Sequence, residues 1–436
     1  MATFKVNMGS WDYYCALCGS TFQGERLVSR KPRTARYLWR KQREADFDAL
    51  VAADPLNGRI DFRRFNEETA AGEDNLDNES LSSQDEDGTY DCSIISKEDA
   101  TWSNNLQCLG VNSDYPFLSN AFISDIGCDD EFGRVSAQPG SDSSAPDDLD
   151  DYVAYDQNED HPLFPFHPKC FELLKQTVAF QRGFQIKAKP LLDGDWELNV
   201  PGGDLDKDVL WRVFRDLQSD AQLDISYGEP ELPHDQCWLA NPGEELFIAD
   251  PGKRSHHAIN AIDDMWREIY SPKSGLEPDI AICNLKLMDD PFAHFPLELI
   301  LIITSALQPR SLLNLMQASP HIRRGLGRTS FSHWRQRFET DLPWFYEVHS
   351  FFEDLPSPAS YNAREMPGKS LSHFFAWAYH ITTPRWGLHG PFMGIANRRR
   401  IWEACNQLVG PYLALVKTED RNTEVEEDGP FHSDTN

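Results

Sequence analysis

A chain of 436 residues, 40% hydrophobic and 12% aromatic, has enough apolar side chains for a sizeable core and length for two or three domains. Its formal net charge of −29 opposes binding to nucleic-acid phosphates. No stretch reaches the about 20 consecutive apolar residues of a membrane span, and "MATFKVNMGSWDYY" lacks the basic flank and apolar block of a secretory signal.

These features predict a soluble, intracellular protein of the cytoplasm, the nucleus or both. In such a compartment nine cysteines imply reduced thiols or a metal site rather than a disulfide framework.

The first chemical signal is Cys15-Ala-Leu-Cys18-Gly19, the shape of a zinc knuckle. A tight turn there aims two thiolates at one ion, and glycine relieves the turn. A basic stretch follows, "RLVSRKPRTARYLWRKQREADF", with Arg33, Arg36, Arg40 and Arg43 on one helical face. Such a stripe can touch nucleic acid or act as a nuclear import signal. A solvated face paired with nearby acids is the better reading, and nucleic acid is not expected as a partner.

Between Glu67 and Asp160, 25 acidic residues face two basic ones, Lys97 and Arg134, so this segment carries −23 of the total −29. It is also rich in Ser, Asn and Gly, and residues 67–160 are expected to be a disordered acidic insertion. A second acidic, disordered stretch is expected at 417–436.

His167-Pro-Lys-Cys170 follows the insertion, ahead of the helical "FELLKQ". Residues three apart at a helix start share a face. Together Cys15, Cys18, His167 and Cys170 form a candidate Cys3His set for one structural zinc. Their donor atoms should then lie within roughly 4 Å of each other, since Zn–S bonds are about 2.3 Å. The alternative is a group of buried, reduced cysteines with a hydrogen-bonded histidine.

Residues 8–66 and 161–287 would be two parts of one α+β domain interrupted by the insertion. "LDKDVLWRVFRDLQ" sets Leu205, Val209, Val213 and Leu217 at steps of four, an amphipathic helix, and "SHHAINAIDDMWREIY" reads as another. "LDISYG", "ELFIADPG" and "DIAICNL" are short β-prone runs. Helices and strands do not alternate regularly, and no repeat of 20–50 residues is found.

From about Met288 the chain turns mainly helical. "FPLELILIITSAL" has an unbroken aliphatic block, Leu299 to Ile303, that covers every direction around a helix and so predicts burial on all sides. Pro309 should end this helix, Ser311 can cap a second with Leu312, Leu315 and Met316 inward, and a third near 331–338 carries Trp334 and Phe338. Three helices this short cannot bury all these side chains alone, so some of the surface must meet flanking domains or another protein. Further on, "IANRRRIWEACNQLV" puts Ile401, Cys405 and Leu408 on one helical face, with Cys405 as a core residue. The region 339–416 is expected to be helical.

The stretch "FPLELILIITSALQPRSLLNLMQASPHIR" resembles an F-box: a Pro-x-Glu-Leu opening, an aliphatic helix, a Pro-containing turn, a Leu-rich helix and a Ser-x-x-x-Arg step. Phe295 stands where a Leu often precedes the Pro. Further stretches are similar to fungal F-box proteins: "YYCALCG", "FPFHPKCFELL", "CWLANPGEELFIADP", "RFETDLPWFYEV" and "NRRRIWEAC". The resemblance places the F-box at 291–338 and implies docking onto a Skp-type adaptor within a cullin-RING ubiquitin ligase. It implies that Pro296, Leu297, Glu298 and Leu299 enter the adaptor groove, with Ile302, Leu307, Leu312 and Leu315 continuing the contact or its supporting core.

No G-x-S-x-G, P-loop or H-E-x-x-H motif is present, and no catalytic residue is expected. The implied function is that of a substrate-receptor subunit with an unidentified protein substrate. The competing class is a zinc-stabilised interaction or nucleic-acid-binding protein whose F-box-like helices are ordinary core.

Overall fold

The computed structural model describes residues 14–22, 34–56, 90–112, 120–129, 134–137, 152–155, 161–191, 196–199, 204–219, 222–229, 243–270, 290–327, 329–355 and 368–427, with residues 60, 65, 72, 142 and 144–146 between them. The class is mixed α+β and mainly helical, as expected. The helix α1 (Thr34–Ala53) is followed by the short α2 (Lys97–Ala100), which runs into a 3-10 turn at Thr101–Asn104. Next come β1 (Gln107–Val111), β2 (Ala121–Ile123), β3 (Cys128–Asp129), β4 (Arg134–Ser136), β5 (Tyr152–Val153) and β6 (Phe164–Phe166).

The helix α3 (Pro168–Gln181) opens directly after β6, with Pro168 in its first turn, where a missing N–H costs nothing. Two hairpins, β7 (Lys187–Pro190) with β8 (Trp196–Asn199) and β9 (Gln218–Ser219) with β10 (Gln222–Leu223), flank α4 (Lys207–Asp216). Val209 and Val213 of the stepped pattern are buried on α4 together with Leu210 and Phe214, while Leu205 precedes the helix and Leu217 is its C-cap; Asp206 caps the start by accepting from the Val209 amide.

β1 is the centre of an antiparallel sheet in the order β2-β1-β6, with Leu109 opposite both Ile123 and Phe164. Trp102, Leu106, Cys108, Leu109 and Phe122 are all buried there. The expectation of a disordered 67–160 is therefore corrected over its described part. The segment's mean charge hid apolar islands dense enough to build the middle of a sheet; residues 67–71 and 73–89 lie outside the described residues. The β-prone "ELFIADPG" is instead a 3-10 turn, Glu245–Ile248, and "DIAICNL" lies outside the described residues.

The C-terminal part holds α5 (His256–Tyr270), α6 (Leu297–Ser305), α7 (Pro309–Ala318), α8 (Pro320–Leu326), α9 (Phe331–Asp341), α10 (Tyr346–Asp354), α11 (Gly368–Ile381) and α12 (Met393–Glu427). Four short helices, not three, span the F-box-like segment. Pro309 opens α7 at its first position rather than ending α6, because its fixed φ suits a helix start. α12 continues to Glu427, so the expected disordered tail is helical over its first eleven residues.

Aromatic rings knit the C-terminal helices together. Trp266 of α5 contacts Phe351, Phe352 and Phe374, and Phe338 of α9 contacts Phe352, Phe374 and Phe375. α12 packs across α3, α4 and the Glu245–Ile248 turn. Buried residues from Cys15 to Tyr412 form one continuous cluster, so the front region and the helical region share a core.

Of the arginine stripe, Arg33 lies outside the described residues, and Arg40 and Arg43 of α1 are buried rather than solvated. Arg40 pairs with Glu245 at 3.0 Å with both side chains fully buried, and Arg43 pairs with Glu44 at 2.9 Å. Glu44 also bonds Arg385. The charges of Arg40 and Arg43 are thus paired inside the protein, Arg40 with a distant segment and Arg43 with its neighbour on α1.

Candidate functional site

Cys15, Cys18, His167 and Cys170 converge, all fully buried, with their donor atoms within 4.8 Å of one another. The widest spacing exceeds the roughly 4 Å expected, while Cys18 Sγ lies 3.4 Å and Cys170 Sγ 3.9 Å from His167 Nδ1. These four side chains can hold a metal ion.

Local chain geometry delivers both pairs. Residues 15–19 form a tight turn in which the amides of Cys18 and Gly19 both reach the Cys15 carbonyl, and Gly19 takes φ 70°, which a side chain resists. His167 sits at the N-cap position of α3, and its backbone amide points at Cys15 Sγ, 3.3 Å away. Cys170 follows one turn later. The Ala16 amide donates to the Pro165 carbonyl at 2.8 Å, tying the turn to the end of β6.

His167 is fixed as a ligand should be. Its Nε2 lies 3.1 Å from the Ser103 carbonyl, so the Nε2–H donates there and the Nδ1 lone pair faces the thiols. Phe22 and Trp102 flank the ring, with centroids 4.6 and 4.7 Å away. Burial pushes the Cys15 and Cys170 thiols well up. Cys18, against the same burial, is held well below its ordinary value by hydrogen bonds from Cys15 and Cys170.

Arg400 of α12 is fully buried and reaches the knuckle. Its Nη1 donates to the Cys18 carbonyl at 2.5 Å and to the Tyr227 carbonyl at 2.9 Å, and Nη2 donates to Asn397 Oδ1 at 2.9 Å. Ser103, Trp102 and Arg400 surround the cluster without having been singled out in the sequence. The signal for Arg400 was three consecutive arginines in an acidic chain.

The second candidate region is the F-box-like segment, where the expected burial on all sides fails. Ile300 and Thr304 are 1% and 2% exposed and face inward, against α8. On the other side Phe295 is 38%, Leu297 38%, Leu299 46% and Ile302 65% exposed. Pro296 and Glu298 are exposed with them, Leu307 and Leu315 are half-buried, and Leu312 is core. Among the described residues, one face of α6 is buried and the other, with Leu299 and Ile302, is left largely open.

Cys405 is buried in the core as expected, and His256 and His257 are exposed. Among the described residues no helix is long and apolar enough to cross a membrane. No family model, no curated protein and no solved structure matches the chain.

Proposed function

We propose that the chain is a non-catalytic F-box adaptor, a substrate receptor that docks a Skp-type protein of a cullin-RING ubiquitin ligase through α6 and the residues just before it. One observation carries this reading. Four of the nine exposed large apolar side chains among the described residues fall within residues 295–302, which makes this the place where a partner would gain most by covering surface. The pattern Pro296-Leu-Glu-Leu opens that same face. Burial of Arg40 and Arg43 weighs against the competing nucleic-acid reading.

The Cys15, Cys18, His167 and Cys170 cluster, in the same reading, holds one structural zinc. Three thiolates and one imidazole are the donor set of closed zinc sites, and a fully buried set leaves no position for substrate. The metal would pin the N-terminal turn to the start of α3.

The docking test is co-purification with a Skp-type adaptor. Leu299→Asp with Ile302→Asp should abolish it and leave the melting temperature unchanged, since both side chains already face solvent. Buried anchors of an interface typically cost about 2 kcal/mol or more on removal. Undiminished capture by the double variant would refute the assignment.

A further inference from the structure

A groove of about 430 Å³ lies between the C-terminal end of α3 and the outer face of α9, within the about 300–1,000 Å³ of ligand-sized pockets. Its apolar lining includes Phe180, Phe184, Ile186, Pro343 and Phe352. Phe184 is held in place by the backbone. α3 ends in a Schellman motif: Gly183 takes φ 87°, its amide donates to the Phe180 carbonyl, and the Phe184 amide donates to the Ala179 carbonyl at 3.0 Å. In that motif the residue after the glycine commonly packs back onto the helix, yet Phe184 remains 40% exposed. A rigidly presented, half-uncovered aromatic ring is the kind of residue that anchors an interface.

The polar rim has a sign. Arg335 and Glu339 pair with each other at 3.0 Å and cancel. His349 adds no cation: burial holds its pKa below the ordinary value, and its Nε2–H donates to the Leu342 carbonyl at 2.9 Å. Glu353 is exposed and makes no ion pair among the described residues. One uncompensated carboxylate therefore stands beside the apolar floor. A second copy of this chain, itself carrying −29, is a poor match for it.

α9 links the groove to the proposed docking face. Arg335, Gln336, Glu339 and Thr340 line the groove, while Arg337, on the opposite side of the same helix, bonds the end of α6. A ligand in the groove would sit on the rigid element that holds the docking helix.

We propose that this groove binds a short peptide segment, inserting one aromatic or large aliphatic side chain against Phe184 and placing a Lys or Arg against Glu353. That the peptide belongs to a client for ubiquitination rests on the adaptor reading; the binding itself does not.

The test pans a random peptide library displayed on phage against the full-length protein. Enriched sequences should pair a large apolar residue with a nearby Lys or Arg. A synthetic peptide of that sequence should bind wild type in fluorescence anisotropy and bind Phe184→Asp about tenfold or more weakly. Glu353→Lys, an exposed change that leaves folding alone, should weaken it too, and replacing the peptide's Lys by Glu should restore binding to that variant. No enrichment, or peptides whose binding survives both substitutions, overturns the proposal. So does concentration-dependent dimerisation that Phe184→Asp abolishes, because the occupant would then be a second copy. Both groove variants should still co-purify a Skp-type adaptor. Failure of wild type to do so removes the adaptor reading and leaves the peptide result standing.

Discussion

Arg337 Nη2 donates to the Leu307 carbonyl at 3.1 Å, just past the end of α6. Its Nη1 donates to the carbonyls of Thr304 and Ser305, each at 3.3 Å. A helix terminus leaves such carbonyls without intrahelical partners, and the helix dipole favours a cation beside them. One arginine from α9 thus closes the helix whose outer face is proposed to dock a partner. Asp341, one turn further along α9, pairs with the same guanidinium at 2.5 Å.

Arg337→Met should accordingly destabilise the protein by about 3–5 kcal/mol in urea unfolding at neutral pH, the usual cost of breaking a buried pair from one side. Arg337→Lys should recover little, since one ammonium cannot serve three carbonyls and a carboxylate with a fork's geometry. Adding Asp341→Asn to Arg337→Met should recover part of the loss. An unchanged unfolding midpoint in Arg337→Met would show that α6 is held by its apolar face alone.

Acid sensitivity is expected from His380 on α11. Burial lowers its pKa from 6.5 to about 4, helped by Arg399, while a hydrogen bond to the Pro55 backbone works the other way. The unfolded chain therefore takes up this proton at higher pH than the folded one. Stability present above pH 6.5 is lost as pH falls toward about 4, on the order of 3 kcal/mol for a shift of this size. Asp48 and Asp341, both raised by burial to about 6, act oppositely: their folded forms keep protons that the unfolded chain sheds from 3.8 upward, so their contribution falls as pH rises to about 6. The readout is therefore the difference between wild type and His380→Phe across pH 4–7. It should shrink steadily toward acid, and a flat difference would mean that His380 titrates normally.

The Cys15, Cys18, His167 and Cys170 cluster was legible because each pair is local: a C-x-x-C-G turn and an H-x-x-C at a helix start announce their geometry without any knowledge of the fold. α4 was legible for the same reason, its apolar residues falling at steps of four. The central strand β1 was not, because "LQCLGV" sits in a segment whose average charge says disorder, and an average cannot see six residues. The α1 stripe misled differently. Arg40 reads as solvated until Glu245, 205 residues away, is placed against it. The outer face of α6 was half legible, since apolarity all round a helix predicts cover but does not say whether the same chain provides it.

Arg400→Met should destabilise the protein more than a typical core change. The arginine is fully buried and bonds the Cys18 and Tyr227 carbonyls, Ser20 Oγ and the Asn397 side chain, so its loss leaves several acceptors unpaired at about 1–3 kcal/mol each. It should also weaken metal retention: three thiolates around a divalent ion leave a charge of −1, and Arg400 is the buried cation beside it. Competition with a chromogenic chelator would measure this. Metal retention equal to wild type would limit Arg400 to a packing role.

Removal of the metal is the strongest test of the cluster. Purified full-length protein should contain about one zinc per chain by elemental analysis, lost on Cys18→Ser or Cys170→Ser. Apart from the cluster, the turn at 14–22 is held by burial of Leu17 and Phe22 and by separate bonds, among them Ala16 to the Pro165 carbonyl, Ser20 Oγ to the Phe247 carbonyl and Tyr155 OH to the Tyr14 carbonyl. Without the ion these contacts alone must oppose the conformational entropy of about nine residues at roughly 1–2 kcal/mol each. Hydrogen exchange after chelation should therefore rise first at 14–22 and at the opening turn of α3, before α12 or the helices after Pro309 respond. Exchange that rises everywhere at once would mean the ion supports the whole core, as it does in small zinc domains. Protein that carries no zinc, and whose exchange is indifferent to chelator, would leave Cys15, Cys18 and Cys170 as ordinary buried thiols around a hydrogen-bonded histidine.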